Sequence, residues 1–232
     1  CYGIEAINNL GNPAALIGHS LGEYTALCLS GYLDYKDALK VIAVRGEEMH
    51  KAVENSNTTM AAVLTGDLET TIEEIEKLNN QGIQIWISNF NDPSQIVISS
   101  YIDDMNYLKS NPKALGAKRV IPLEVAGAFH TEIVSSAKKP LEDTLNSIDI
   151  SEGKIPVYMN VDAKKVEVST LKESLVNQID NSVLFNQQIE FVNNDIDPDL
   201  WCHIGPGNVT AGMVRKSISY KDLKVINSLE SS

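Results

Sequence analysis

The stretch Ala14-Ala15-Leu16-Ile17-Gly18-His19-Ser20-Leu21-Gly22 decides the fold. Its apolar beginning is typical of a buried parallel strand, and residues 21–30 are good helix formers that end at Gly31. Positions 18–22 match the G-x-S-x-G pattern, a sharp strand-to-helix turn that exposes a serine at a helix N-terminus. We expect glycines at both flanking positions because the turn is too tight for side chains. The stretch therefore predicts an α/β fold with Ser20 as a nucleophile and the Leu21 backbone amide as an oxyanion donor.

Residues 59–125 have a different order of predicted strands and helices. The strands and helices predicted there, in the order β-α-β-β-α-β, cover residues 60–64, 68–78, 83–88, 95–99, 102–115 and 119–125. This order is that of the split βαβ, or ferredoxin-like, pattern. We therefore expect a ferredoxin-like small subdomain at 59–125, inserted into an α/β-hydrolase-like large domain made of residues 1–58 and 126–232.

The rest of the large domain alternates helices and strands. A helix is predicted over residues 35–53, with Asp34 as its N-cap. Its apolar positions recur at helical spacing, at Leu39, Ile42, Ala43 and Met49. Beyond the small subdomain, the sequence predicts helical segments after Thr131 and Leu171, strands at 157–160 and 200–204, and a final helix from a cap at Asn208 through Lys216.

Composition and charge narrow the function classes. The 232 residues are 43% hydrophobic and 22% charged, as in an ordinary globular protein. Lys and Arg total 19 against 31 Asp and Glu, and a net charge of −12 argues against nucleic-acid binding. No apolar run approaches the ~20 residues of a membrane helix. Cys1, Cys28 and Cys202 form no close pair and no metal spacing, which indicates a reducing, cytoplasmic location.

A serine nucleophile needs a base, and the chain offers four histidines. His50 ends a charged helix and is expected in solvent, and His203 lies inside a predicted strand. His130 follows a predicted strand and the loop Gly127-Ala128-Phe129, at a strand end where α/β enzymes place their chemistry. His130 is therefore the predicted base. His19, beside the serine, is expected to point away from it and to have a structural role.

The residues alone identify neither the acid of a catalytic triad nor the partner of Arg45. A hydrolase triad would place an acid between Ser20 and His130 in chain order, but no acid in that interval stands out. Arg45 shares a helix face with Ile42 and Met49, inside the apolar stripe. A buried guanidinium needs a partner. Spacing alone favours an acid elsewhere in the chain, and the alternative is a substrate carboxylate held by two parallel hydrogen bonds.

Four separated motifs together resemble the malonyl-CoA:acyl carrier protein transacylases and the acyltransferases of polyketide synthases. They are Gly18-His19-Ser20-Leu21-Gly22-Glu23-Tyr24, Val44-Arg45-Gly46 with Met49, Gly127-Ala128-Phe129-His130, and Gly205-Pro206-Gly207. The resemblance extends to Asn89-Phe90-Asn91 with Ile96-Val97-Ile98, and to Asn160-Val161-Asp162. It therefore covers nearly the whole chain.

The resemblance implies a ping-pong reaction without a metal or redox cofactor. Ser20 would attack malonyl-CoA while His130 takes its proton, and the phosphopantetheine thiol of an acyl carrier protein would then attack the malonyl-serine ester. Gln178, in Asn177-Gln178-Ile179, would orient the histidine through its backbone carbonyl, in place of a triad acid. Arg45 would hold the malonyl carboxylate.

Further expectations concern the acyl group. The Gly-Ala-Phe-His form of the third motif is associated with malonyl units, and Phe129 would narrow the pocket against an α-methyl group. Phe129 and His19 are thus candidates for substrate binding beside Arg45.

The sequence lacks the family's N-terminal Gly-Gln-Gly motif, which supplies a second oxyanion donor. We therefore expect that an N-terminal segment is absent, and that the 232 residues alone would fold poorly and be nearly inactive.

Two alternatives to malonyl transfer stay open. One is a proofreading hydrolase acting on carrier-bound acyl groups, although such relatives tend to lack the arginine. The other is a silent docking module of a larger synthase, although that role needs none of Ser20, Arg45 and His130. An acidic carrier protein would need a basic surface, for which the candidates are Lys118, Arg119, Lys138, Lys139, Arg215 and Lys216.

Overall fold

The computed structural model describes residues 2–218 and 222–227. Cys1 lies outside these residues, and Cys28 and Cys202 are free thiols. In the described part of the chain, no helix is both long and apolar enough to cross a membrane.

Helices and strands alternate along the described residues. In chain order they are α1 (Tyr2–Leu10), β1 (Leu16–Ile17), α2 (Leu21–Ser30), α3 (Tyr35–Val53), β2 (Thr58–Thr65), α4 (Leu68–Asn80), β3 (Ile85–Asp92), β4 (Gln95–Tyr101), α5 (Ile102–Ser110), β5 (Ala117–Pro122), α6 (Lys138–Asn146), β6 (Val157–Tyr158), α7 (Leu171–Asn177), α8 (Phe185–Ile196), β7 (Leu200–Ile204), α9 (Val209–Ser217) and β8 (Asp222–Ile226). Short 3₁₀ turns cover Pro112–Leu115 and Glu132–Ala137.

Parallel strand pairing places the strand-to-helix turn. β1 pairs in parallel with β6, Leu16 opposite Val157 and Ile17 opposite Tyr158. Both strands are shorter than predicted, since only these two residues of each share a ladder. A second parallel pair joins β7 to β8. α2 leaves β1 through residues 18–20 and ends, as predicted, at Gly31, whose φ of 88° is left-handed.

The long helix α3 begins as predicted but buries a different face. Asp34 accepts a hydrogen bond from the Lys36 amide at 2.8 Å, which caps the helix. The buried residues are Ala38, Val41, Arg45, Met49 and Val53, spaced three to four apart. The predicted apolar stripe is therefore partly wrong: Leu39 is 58% exposed and Ala43 is also exposed, since they lie about 100° and about 140° around the helix from the centre of the buried row.

Residues 58–122 form a separate antiparallel sheet with its own core. The strand order is β3-β4-β2-β5, so β2 lies between β4 and β5. α4 and α5 pack on this sheet, where Ile75, Leu78, Met105 and Leu108 join the apolar residues of the strands in one cluster. The helix predicted over 102–115 is interrupted, because Pro112 disfavours helical backbone at Asn111, and only a 3₁₀ turn follows.

The antiparallel sheet is joined to the rest of the chain along β3. Val183 exchanges backbone hydrogen bonds with Ser88 and Phe90, each at 2.9 Å. Lys216 on α9 forms an ion pair at 3.0 Å with Asp92, whose side chain is 1% exposed. The backbone hydrogen bonds hold the loop before α8 against β3, and the ion pair holds α9 against the same strand.

Two C-terminal features depart from expectation. α8 was not predicted, although Phe185, Ile189 and Val192 all turn into the core at helical spacing. Asn208 precedes α9 as predicted, but among the described residues its side chain caps no amide of that helix. Its ψ of 17° differs from the extended backbone that capping residues adopt.

The burial of α3 predicts opposite outcomes for two substitutions on that helix. Met49→Ala should lower the free energy of unfolding by about 2–5 kcal/mol, because Met49 is 5% exposed in the large core cluster. Leu39→Ala should change it by less than about 0.5 kcal/mol. Urea denaturation measures both, and equal losses would contradict the observed face of the helix.

Candidate active site

The turn between β1 and α2 is tight at one glycine and open at the other. A Cβ on Gly18 would lie 2.1 Å from the Gly22 carbonyl carbon, so no side chain fits there. A Cβ on Gly22 would meet nothing within 4 Å. The prediction that the turn excludes side chains at both positions is therefore wrong for Gly22, which already lies in helical backbone. Between them, Ser20 has φ 51° and ψ −103°, an unusual conformation for a residue with a side chain.

Ser20 and His130 are in direct contact. Ser20 Oγ lies 2.7 Å from His130 Nε2. His130 Nδ1 lies 2.8 Å from the Gln178 backbone oxygen, and that oxygen only accepts. Nδ1 therefore carries the proton, and Nε2 accepts from the serine hydroxyl. Burial, together with the nearby Arg45 charge, lowers the pKa of His130 to about 3, so its ring is neutral at pH 7.

The loop before His130 fixes the ring by close packing. A Cβ on Gly127 would lie 2.6 Å from Val53 Cβ. The Ala128 amide donates to Thr58 Oγ1 at 3.0 Å, and the Thr131 hydroxyl donates to the Ala128 oxygen at 2.7 Å. His130 itself has a left-handed φ of 59°. The loop is thus held between α3 and β2, with the histidine turned toward Ser20.

Arg45 reaches the serine from α3. Its Nη2 donates to Ser20 Oγ at 2.8 Å and to Gln178 Oε1 at 2.9 Å. The guanidinium carbon lies 5.6 Å from the centre of the Tyr24 ring, within cation–π range. Arg45 is 7% exposed, and within the described residues no carboxylate forms an ion pair with it and its Nε has no hydrogen-bond partner. The site therefore holds a buried cation with spare donor capacity.

Comparison with known proteins identifies the family. Residues 4–229 match the acyl transferase domain family. The chain belongs to this family. A Bacillus subtilis relative described as a malonyl CoA-acyl carrier protein transacylase is 38% identical over 205 residues, which cover 88% of this chain and 64% of that protein. The chain thus spans somewhat less than two thirds of that relative's length.

Solved structures of similar proteins share the fold. A Vibrio cholerae acyl carrier protein S-malonyltransferase superimposes with a TM-score of 0.89 at 29% identity, over 99% of this chain and 76% of that one. A malonyl-transacylase in complex with a type II polyketide synthase acyl-carrier protein gives 0.88 at 28% identity, over 98% and 75%. The mixed α/β fold predicted from the sequence is therefore confirmed.

The remaining predicted site residues of this acyl transferase domain are Leu21, His19 and Phe129, and each has different surroundings. Leu21 opens α2, so its amide is among those with no acceptor inside the helix, at the positive end of the helix dipole. His19 Nε2 lies 2.8 Å from Asn91 Oδ1, and its ring meets Phe185 edge-on. This geometry favours the structural interpretation of His19. Phe129 packs against the large core cluster.

Two residues that sequence reasoning missed complete the surroundings of the serine. Asn160, after β6, accepts from the Ser20 amide at 2.7 Å and donates to the Gly18 oxygen at 2.6 Å. Glu23, one turn into α2, is fully buried beside it. Both stand in motifs that carried the family resemblance, and their membership of those motifs was the available signal.

A cavity of about 450 Å³ opens beside the base. Its lining includes His130, Trp86, Glu132 and residues 180–182. It lies between the antiparallel sheet with α4 and the loop that carries the histidine, so His130 is reachable from solvent on this side. The indole nitrogen of Trp86 donates to Glu132 at 3.1 Å across the cavity edge.

The two glycines of the turn predict opposite substitution results. Gly18→Ala should lower the free energy of unfolding by about 1–3 kcal/mol or more, because the added methyl overlaps backbone atoms that cannot move without opening the turn. Gly22→Ala, in open helical backbone, should be neutral or slightly stabilising. Urea denaturation of both variants tests this, and a similar loss for Gly22→Ala would refute the asymmetry.

Proposed function

We propose that this protein transfers a malonyl group from malonyl-CoA to the phosphopantetheine thiol of an acyl carrier protein, in fatty-acid or polyketide biosynthesis. The observation that carries the proposal is the double contact of Ser20 Oγ, with a neutral histidine on one side and a buried arginine on the other. The first is the arrangement of a nucleophile and its base. The second offers a cation to an acyl group that ends in a carboxylate. The similar proteins described above, which are malonyl transacylases and a malonyltransferase, support this reaction.

In the first half-reaction, Ser20 Oγ attacks the thioester carbonyl carbon of malonyl-CoA as its proton passes to His130 Nε2. The Leu21 amide, at the N-terminus of α2, is the proposed donor to the oxyanion. The Gln178 backbone oxygen stabilises the imidazolium that forms, since it accepts from Nδ1. The carbon–sulfur bond then breaks, the proton moves from His130 to the leaving sulfur, and a malonyl-serine ester remains.

The second half-reaction reverses these roles. The phosphopantetheine thiol gives its proton to His130 Nε2 and its sulfur attacks the ester carbonyl carbon. The carbon–oxygen bond to Ser20 breaks, and Oγ recovers the proton from the histidine. Because Ser20 and His130 supply both nucleophile and base, the proposed steps call for no cofactor beyond the two substrates.

Arg45 is the proposed ligand of the malonyl carboxylate. Its side chain is buried without a paired carboxylate among the described residues, and its Nε is free to donate. A carboxylate that binds there satisfies an otherwise costly buried charge. This supports malonyl transfer over the hydrolase alternative. The simultaneous presence of Ser20, His130 and Arg45 in hydrogen-bond contact likewise disfavours a silent docking module.

We propose a two-part architecture for this reaction. Residues 59–125 are assigned to a ferredoxin-like subdomain, supported by the strand order β3-β4-β2-β5 and a core of its own. Residues 1–58 and 126–232 are assigned to an α/β-hydrolase-like acyltransferase domain, supported by the parallel pair that leads into the turn at Ser20.

Other roles extend the proposal. Phe129 is proposed to narrow the acyl pocket against an α-methyl group, and a substrate-binding role of His19 stays a prediction, as does the cytoplasmic location.

For carrier docking, Lys138, Lys139 and Lys216 are each paired with acids of this chain. Lys118, Arg119 and Arg215 are therefore the stronger candidates for contact with an acidic carrier protein.

The reaction predicts a covalent intermediate on one serine. Brief incubation of the full-length protein with malonyl-CoA should add a single malonyl group by intact-protein mass, and holo acyl carrier protein should remove it. Ser20→Ala should abolish the adduct. Ser135→Ala is a matched control that should keep it, since that hydroxyl binds Asp180 instead.

The other outcomes of this experiment separate the alternatives. An adduct that survives Ser20→Ala would refute the nucleophile. Release of free CoA without an adduct would indicate the hydrolase, and neither adduct nor CoA release would indicate the silent module.

The proposed role of Arg45 predicts that its substitution slows malonyl-enzyme formation more than acetyl-enzyme formation. Arg45→Ala should slow malonyl-enzyme formation from malonyl-CoA by ~10²-fold or more relative to acetyl-enzyme formation, because only malonyl carries the carboxylate that the guanidinium binds. Arg45→Lys keeps the charge without the planar pair of donors, and should give an intermediate ratio. Equal losses for malonyl-CoA and acetyl-CoA would return Arg45 to a structural role.

A further inference from the structure

A buried carboxyl group lies directly behind the proposed reaction centre. Glu23 has no exposed surface, and α2 places it one turn after Ser20. Its Oε1 accepts from the Asn160 backbone amide and its Oε2 accepts from Gln178 Nε2, each at 2.5 Å. A buried acid is costly unless its oxygens are hydrogen-bonded, and here both oxygens are.

The two partners of Glu23 contact the proposed nucleophile, the proposed base and the proposed ligand of the carboxylate. Asn160 uses its side chain to bind the Ser20 amide and the Gly18 oxygen. Gln178 accepts from His130 through its backbone oxygen and from Arg45 through Oε1. Its Nε2 donates to the backbone oxygen of Ser20 at 3.0 Å. Glu23 is therefore the common anchor of the residues that position nucleophile, base and cation.

The polarity of this network fixes the orientation of one amide. Gln178 Nε2 faces the Glu23 carboxyl, so Oε1 must face Arg45, where it accepts from Nη2. If the Gln178 amide turned over, its NH₂ group would face the guanidinium, and two donors would oppose each other. The acceptor at position 23, together with the Ser20 backbone oxygen, thus sets the orientation in which Gln178 holds Arg45.

We propose that Glu23 is a positioning residue that orients Arg45 toward the acyl carboxylate by fixing the Gln178 side chain. This inference rests on the proposed function, since it assigns the malonyl preference partly to a residue that touches no substrate. Burial raises the pKa of Glu23 to about 8, while its two hydrogen bonds and the Arg45 charge act in the opposite direction. Both partners are donors, so the proposed role rests on the acceptor oxygens of Glu23 and not on its charge.

Glu23→Gln tests the proposal with minimal change of shape. The new amide has one donor end, which must oppose either the Asn160 amide or Gln178 Nε2. In full-length protein, acylation rates from malonyl-CoA and acetyl-CoA should both fall, and the malonyl-to-acetyl ratio should fall by at least ~10-fold, since the hydrogen bond lost at Arg45 involves a charged group. Glu23→Asp keeps two acceptor oxygens on a shorter side chain, and should retain more of the ratio than Glu23→Gln.

The control is a second buried acid away from the site. Asp92→Asn makes the same change from carboxyl to amide at a residue that is 1% exposed and paired with Lys216. Its thermal unfolding temperature should fall, while its malonyl-to-acetyl ratio should stay at the wild-type value. A ratio that Glu23→Gln leaves unchanged, with both rates equally lowered, would overturn the positioning role and leave only a structural one.

Failure of the proposed function gives a different result. Wild-type protein that forms no malonyl-enzyme would overturn the proposed reaction, and this role with it, before any variant is measured. If Glu23→Gln unfolds during purification, Gln178→Met decides, because it keeps the backbone oxygen that binds His130 and removes the side-chain amide through which Glu23 would act: an unchanged malonyl-to-acetyl ratio overturns the proposal, and a lowered one supports it.

Discussion

Ser20 is held in a backbone conformation that residues with side chains avoid, at a cost of about 1–3 kcal/mol. The surrounding contacts maintain it. The absence of a Cβ on Gly18 lets the incoming strand approach the first turn of α2, and Asn160 bridges the turn by binding the amide of Ser20 and the oxygen of Gly18. Because Asn160 follows β6, the parallel pairing of β1 with β6 sets where this bridge lies. The geometry of the proposed nucleophile thus depends on a contact between residues that are 140 positions apart in the sequence.

Arg45 explains why a carbonyl, and not a carboxylate, orients the base. An acid beside His130 would lie close enough to Arg45 to pair with it, and a paired guanidinium would have less attraction for a substrate carboxylate. The Gln178 backbone oxygen fixes the His130 tautomer without adding charge. Glu23 supplies acceptor oxygens one residue further away, through the Gln178 side chain, so Arg45 is oriented but not neutralised.

Local patterns predicted the residues whose position follows from one element. Ser20 came from a strand-to-helix turn, His130 from a loop after a strand, and the N-cap at Asp34 from a short-range hydrogen bond. Roles that arise from tertiary contacts were not predictable in this way. Asn160 and Glu23 are ordinary polar residues in sequence, and only the packing of α2 against the segment after β6 brings them together. The role of Gln178 came from the family resemblance, while its side-chain contacts needed the structure.

The wrong predictions have physical reasons of the same kind. Leu39 and Ala43 have apolar side chains at helical spacing, but the neighbours of α3 select the row that contains Arg45 and Met49. Periodicity alone cannot tell which of two apolar rows, offset by one residue, is buried. The surface against which the helix packs decides it. The same holds for Gly22, where a pattern of residue types suggested a steric need that the backbone does not have.

The contacts of Ser20 Oγ also bear on how acyl transfer avoids unproductive reaction. In the resting site the hydroxyl oxygen accepts from Arg45 while its proton is directed to His130. A lone pair that accepts a hydrogen bond from a cation is a weaker nucleophile. In the proposed reaction, a malonyl carboxylate competes for the same guanidinium, which frees that lone pair as the correct acyl group binds. An acyl chain without a carboxylate leaves the contact in place, so in this proposal the arginine that attracts malonyl also restrains the serine toward other acyl groups.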